Sequence, residues 1–69
     1  MKIENFGQLA EVIREKRKSQ NLTQTQVAGL CGVGVRFVVD LEAGKETCQI
    51  GKVIHIAKSL GVDLFAEAR

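Results

Sequence analysis

Apolar residues recur along this chain at helical spacing, in four blocks separated by glycine, asparagine or polar pairs. In the first block, Phe6, Leu9, Ala10 and Ile13 fall on one face, and the aliphatic stem of Arg17 continues the stripe. This predicts a helix, α1, from roughly Phe6 to Ser19, with Asn5 as its cap and Gln8 reaching back in a capping-box arrangement. Gln20 and Asn21 end it, since Asn tolerates the left-handed conformation. The second helix, α2, is expected from Gln24 to Cys31. Thr23 and Gln26 are spaced as a capping box, Leu22 and Val27 as a hydrophobic staple, and Gly32 supplies a left-handed exit. The third, α3, begins near Val35 and ends near Ala43, with Gly34 as cap and Gly44 as stop. Val33 and Val38 form its staple, and Val38 and Leu41 face inward. The fourth, α4, runs from about Ile50 to Leu60, with Ile50, Val53, Ile54, Ala57 and Leu60 on its apolar face and Gly61 as its stop. After Gly61 the period changes. Val62, Leu64 and Ala66 alternate with Asp63, Phe65 and Glu67, which reads as a short strand over about 62–67, or else as one helical turn from Leu64 to Ala68. A single strand has no partner within this chain and would need another copy or another protein beside it.

The two short middle helices, with small Ala28 at their contact and Gly32 in the turn, spell a helix-turn-helix over residues 24–42. Such a motif lays its second helix in the major groove of DNA, so the pattern carries a functional expectation as well as a structural one. The fold class expected is all-α: a compact four-helix domain with a short C-terminal strand, occupying residues 1–69 as one unit.

Composition narrows the picture only moderately. Sixty-nine residues suffice for one small core, burying roughly 60% of the unfolded surface. The 45% hydrophobic content, without Pro, Trp or Tyr, argues against a disordered tail. A formal charge of +2 is mild, so affinity for nucleic acid must come from local placement of Lys and Arg. The excess lies in residues 1–22, chiefly Arg14, Lys16, Arg17 and Lys18, either as cations at a helix C-terminus or facing phosphate. Cys31 and Cys48 are 17 residues apart and the chain has one histidine, His55, so no zinc site is expected. Cys31 reads as a small core residue. No signal peptide or membrane-length apolar run is found, which makes a reducing cytoplasm the expected compartment. No triad, paired-carboxylate or phosphate-cradling glycine pattern suggests an active site; neither cofactor, metal nor small-molecule ligand is expected.

The residues Leu22-Thr23-Gln24, Val27-Ala28, Gly32-Val33, Val38, Leu41-Glu42, Gly44-Lys45 and Ile56 to Val62 resemble the lambda-repressor-like, Cro- or XRE-type helix-turn-helix family, without gaps from about residue 10 to about residue 64. Within it, Gly34 to Val38, Gly44 to Thr47 and Ile50 to Val53 are most similar to HipB-like antitoxins. That resemblance implies four helices and a C-terminal strand that completes a homodimer. It also implies repression of the protein's own operon through double-stranded operator DNA, and binding to a HipA-like kinase toxin. The expected dimerisation residues are Val62, Leu64, Phe65 and Ala66.

Phosphate contacts are expected from Thr23, Gln24 and Lys45. Gln24 sits at the first turn of α2, where free backbone N–H groups and the positive helix end favour an anion. Lys45 follows the α3 stop, where relatives contact phosphate. Base contacts are expected from Val35, Arg36, Val39 and Asp40. Arg36 is the only cation on α3 and can donate two hydrogen bonds to guanine O6 and N7. Val35 and Val39 stand where relatives often carry polar readers. They can meet thymine methyl groups, pack locally, or form a protein-binding surface. Asp40 either orients Arg36 one turn away or accepts from a cytosine amino group. Phe37 is expected to pack partly between α3 and α4. Glu42 is expected to pair with Arg14 or Arg17 in the family's pattern, and His55 to be solvated or at an interface. The alternative is a protein-interaction module, in which Val35, Phe37 and Val39 bind a protein and DNA binding is weak or lost.

Overall fold

The computed structural model describes residues 2–69. It contains α1 (Phe6–Ser19), α2 (Gln24–Cys31), α3 (Val35–Glu42) and α4 (Ile50–Leu60), and the described residues form no strand. Each helix begins and ends where local chemistry dictates. The Asn5 side chain accepts from the Gln8 N–H at 3.0 Å, while Gln8 Oε1 accepts from the Glu4 N–H, one residue before the cap. Thr23 and Gln26 form the full reciprocal box, at 3.0 and 2.8 Å. Asn21 is the single non-glycine residue with positive φ among those described, at 58°, and it turns the chain from α1 into α2. Gly32 has φ 67° and open space where a side chain would lie, so backbone conformation is the reason for glycine there.

The core is one cluster drawn from all four helices. Ile13, Val27, Val38, Leu41, Val53 and Ile56 are its largest fully sealed side chains. The stripe on α4 is only partly the one its sequence suggests. Val53, Ile56, Ala57 and Leu60 are buried, whereas Ile50 and Ile54 are exposed. The buried four lie on one narrow arc at three- and four-residue spacing. Ile50 and Ile54 form a neighbouring row on the flank, which the other helices leave uncovered.

The tail ends differently from either reading of the sequence. Val62 is buried in the chain's own core, and its N–H donates to the Ala57 carbonyl at 2.8 Å, closing the turn at Gly61. Beyond it, residues 63–69 form neither helix nor strand. Leu64 is 39% and Phe65 is 91% exposed. Residues of this tail share a groove with Lys2, Ile3 and Leu9 at the start of the chain. A strand needs a neighbouring backbone, and a single copy offers none.

Candidate nucleic-acid interface

The helix-turn-helix is locked by a buried polar knot. Arg17 Nε donates to Glu42 Oε2 at 2.7 Å and its Nη2 to Oε1 at 2.9 Å, a bidentate pair joining α1 to the end of α3. Its Nη1 donates to the Leu22 carbonyl at 2.6 Å, and Gln24 Nε2 donates to Glu42 Oε1 at 3.2 Å. The two charged side chains are only 10% and 3% exposed. The hydrogen bond to Glu42 raises the Arg17 pKa above its ordinary value; burial opposes this, and the nearby Glu42 charge adds to it. Of the two candidate partners, Arg17 therefore holds Glu42. One member of the basic cluster serves the fold.

With Val38 and Leu41 sealed and Glu42 pinned, α3 has one free arc. Val35, Arg36, Val39 and Asp40 fall on it, because helical spacing places these four together on the side away from the core. The Arg36 side chain is 85% exposed, and its Nε lies 3.2 Å from Asp40 Oδ1. Lys45 Nζ approaches the other oxygen, Oδ2, at 3.5 Å. Asp40 thus sits between two cations, one on the helix and one in the following loop. The Lys45 N–H also donates to the Asp40 carbonyl at 3.0 Å, just after Gly44 turns with φ 83°. Thr23 and Gln24 occupy the N-terminus of α2, where Thr23 Oγ1 caps the Gln26 N–H. The N–H groups of Gln24 and Thr25 precede the first helical bond, from the Val27 N–H to the Thr23 carbonyl.

Sequence reasoning missed some neighbours. Phe37 is half-buried against the core, as expected, but Lys52 Nζ stands 5.6 Å from its ring centroid. A surface concavity of about 230 Å³ brings Lys52, Thr47 and Gln49 beside Asp40 and Lys45. Nothing in the α4 pattern marks Lys52 as part of this surface; only the fold brings the start of α4 beside Phe37. His55 Nε2 lies 3.2 Å from the Cys31 carbonyl, where an Nε2–H donates to the last turn of α2. The four tail residues are not gathered at this surface: Val62 is in the core, and Leu64, Phe65 and Ala66 lie on the tail beyond it.

A short helix with one face sealed in the core and the other free, held by a second helix across a glycine turn, defines a helix-turn-helix domain of the kind that presents one helix to a groove. The helix-turn-helix family model matches residues 13–65, and the chain belongs to this family of Cro/XRE-type transcriptional regulators. A relative from Sinorhizobium fredii, the uncharacterized HTH-type transcriptional regulator y4mF, is 48% identical over 67 residues, covering 94% of this chain and 88% of the relative. Among solved structures, a chain of the HipA-HipB-O2-O3 complex superposes with TM-score 0.88 at 20% identity, covering 99% of this chain and 96% of that one. A chain of the HipB-O1-O2 complex gives TM-score 0.88 at 20% identity and covers 99% of both. At that identity the likeness establishes the shared fold. No helix of the described residues is long and apolar enough to cross a membrane.

Proposed function

We propose that this chain is a single-domain, dimeric, cytoplasmic transcriptional repressor that reads a palindromic operator with α3 and serves as the antitoxin of a HipA-like kinase toxin. The observation that carries the DNA-reading part is the free arc of α3, where Arg36 stands clear of the core with Val35, Val39 and Asp40 around it. Arg36 meets guanine, the two valines meet thymine methyl groups, and Thr23, Gln24 and Lys45 hold phosphate on either side of the groove. Two copies place their α3 helices in successive major grooves, about 34–36 Å apart. The bound operator then excludes the polymerase. The antitoxin part is supported by the shared fold with HipB chains, one of them solved with HipA. A kinase-like reading frame beside the gene, whose product co-purifies with this chain, is the expected sign of it.

Binding to the DNA upstream of the protein's own gene tests the repressor reading directly. With three or four phosphates neutralised per copy, the logarithm of affinity should fall against log salt with a slope of about −5 to −7. Failure of the protein to shift that DNA at low salt refutes it. A protein-interaction module remains the second reading, favoured by the apolar Val35 and Val39 and by the acid between Arg36 and Lys45. Phe37 does not strengthen it, since that ring packs against the core.

The dimer is built by pairing tails. Leu64, Phe65 and Ala66 from each copy form the strand that a single chain leaves unpaired, with Val62 anchoring its start. Because Val62 belongs to the core, the informative truncation removes residues 63–69 and keeps Val62. That variant is expected to keep its helical circular dichroism, to sediment as a monomer, and to bind operator at least tenfold more weakly, having lost the linked second half-site. A truncated chain that still sediments as a tight dimer would show that the helices themselves pair.

A further inference from the structure

Asp40 is an unusual residue for a surface that is to meet phosphate, and both of its carboxylate oxygens are already engaged. Oδ1 faces Arg36 Nε at 3.2 Å and Oδ2 faces Lys45 Nζ at 3.5 Å. Its side chain is 22% exposed, whereas those of Arg36 and Lys45 are 85% and 58% exposed. The acid is therefore the better-held member of the trio, and the two cations are draped over it. Its backbone is fixed as well, by the Lys45 N–H bond to its carbonyl.

The geometry at Arg36 has a chemical consequence. A guanidinium is a planar fork with five N–H donors. The pair places the carboxylate on the Nε side of the fork and leaves the far edge, with Nη1 and Nη2, without an ion-pair partner among the described residues. That edge carries two parallel donors and matches the O6 and N7 acceptors of guanine. Among the described residues Asp40 is the one ion-pair partner of Arg36, so without it the long side chain would sample many rotamers and lose that freedom on contact with DNA.

Resting on the DNA-reading proposal above, we infer that Asp40 is a positioning residue that aims Arg36 at guanine, and that it does not itself read a base. It also holds Lys45 near the helix, so the trio presents a net charge of +1 where two free cations would present +2. Affinity for arbitrary duplex is lowered, and the contact at one guanine is favoured. Asp40 thus sets specificity through its two neighbours: it taxes phosphate attraction, which is blind to sequence, and preorganises the donor pair that discriminates.

Fluorescence polarisation with the protein's own upstream DNA and with a scrambled duplex of equal length tests this. Asp40→Asn should bind the scrambled duplex about three- to tenfold more tightly, with a salt slope steeper by about one per copy, as Lys45 is released to phosphate. Discrimination between the two duplexes should fall by about five- to tenfold, at the lower end of the range carried by one bidentate contact. In an Arg36→Ala background, Asp40→Asn should tighten both duplexes alike and leave their ratio unchanged. Full discrimination retained by Asp40→Asn overturns the inference. So does an equal loss of discrimination when Arg36 is absent, since Asp40 would then contact a base directly. Failure of the parent protein to bind either duplex overturns the DNA-reading proposal, and this inference with it.

Discussion

Arg17→Ala should destabilise the protein more than any change at its surface. It leaves Glu42 charged and buried, with only the Gln24 amide still donating to it. Breaking a buried pair by removing one partner costs about 3–5 kcal/mol. A domain of this length holds only about 3–10 kcal/mol of stability in total. The Leu22 carbonyl also loses its bond from Nη1. Melting followed by circular dichroism at 222 nm should therefore show a Tm lower by about 15–30 °C, or no cooperative transition. Arg17→Met combined with Glu42→Met should recover much of the loss, because the uncompensated charge is gone and the volume is filled. A single Arg17→Ala variant melting within about 3 °C of the parent would show that the knot contributes little. Arg17 stays charged at any pH where the protein folds, since its pKa is raised above an already high ordinary value.

That knot also shows where sequence reading ends. The caps at Asn5, Thr23 and Gly34 and the left-handed turns at Asn21, Gly32 and Gly61 are local devices, visible because each depends on residues within a few positions. The partner of Glu42 is 25 residues away, and choosing Arg17 over Arg14 needed the angle at which α1 crosses α3. Gln24 reads as a first-turn residue free to meet phosphate. In the fold one of its amide hydrogens faces Glu42, because the N-terminus of α2 and the end of α3 converge there. On α4 the apolar residues outnumber the positions the core can cover, so periodicity alone could not separate Ile56 from Ile50 and Ile54. Lys52 belongs to the same limit: its neighbour Phe37 is on another helix. The free arc of α3 was legible, because once Val38 and Leu41 face inward helical geometry fixes the rest.

Arg36→Ala should leave the melting curve nearly unchanged and remove most sequence-specific DNA binding. The side chain is 85% exposed and its i,i+4 pair with Asp40 lies at the surface, so stability should change by less than about 0.5 kcal/mol. A bidentate guanine contact discriminates by about 1–3 kcal/mol, and a dimer makes it twice. Affinity for the native operator should then fall by about 30- to 25,000-fold, while affinity for a scrambled duplex falls by far less. The contrast between the two duplexes is the measurement that matters. Equal weakening on both would make Arg36 a phosphate contact. No weakening on either would move the reading surface away from α3.

The separation of roles around α3 has an evolutionary consequence. Val35, Arg36, Val39 and Asp40 lie outside the buried cluster, while Val38, Leu41 and the Arg17-bound Glu42 anchor the same helix from its other side. Substitutions on the outer arc can drift without endangering the scaffold. If α3 reads DNA as proposed, a duplicated gene acquires a new DNA address by changing these four codons, and the old and new copies cease to compete for each other's sites while remaining the same domain.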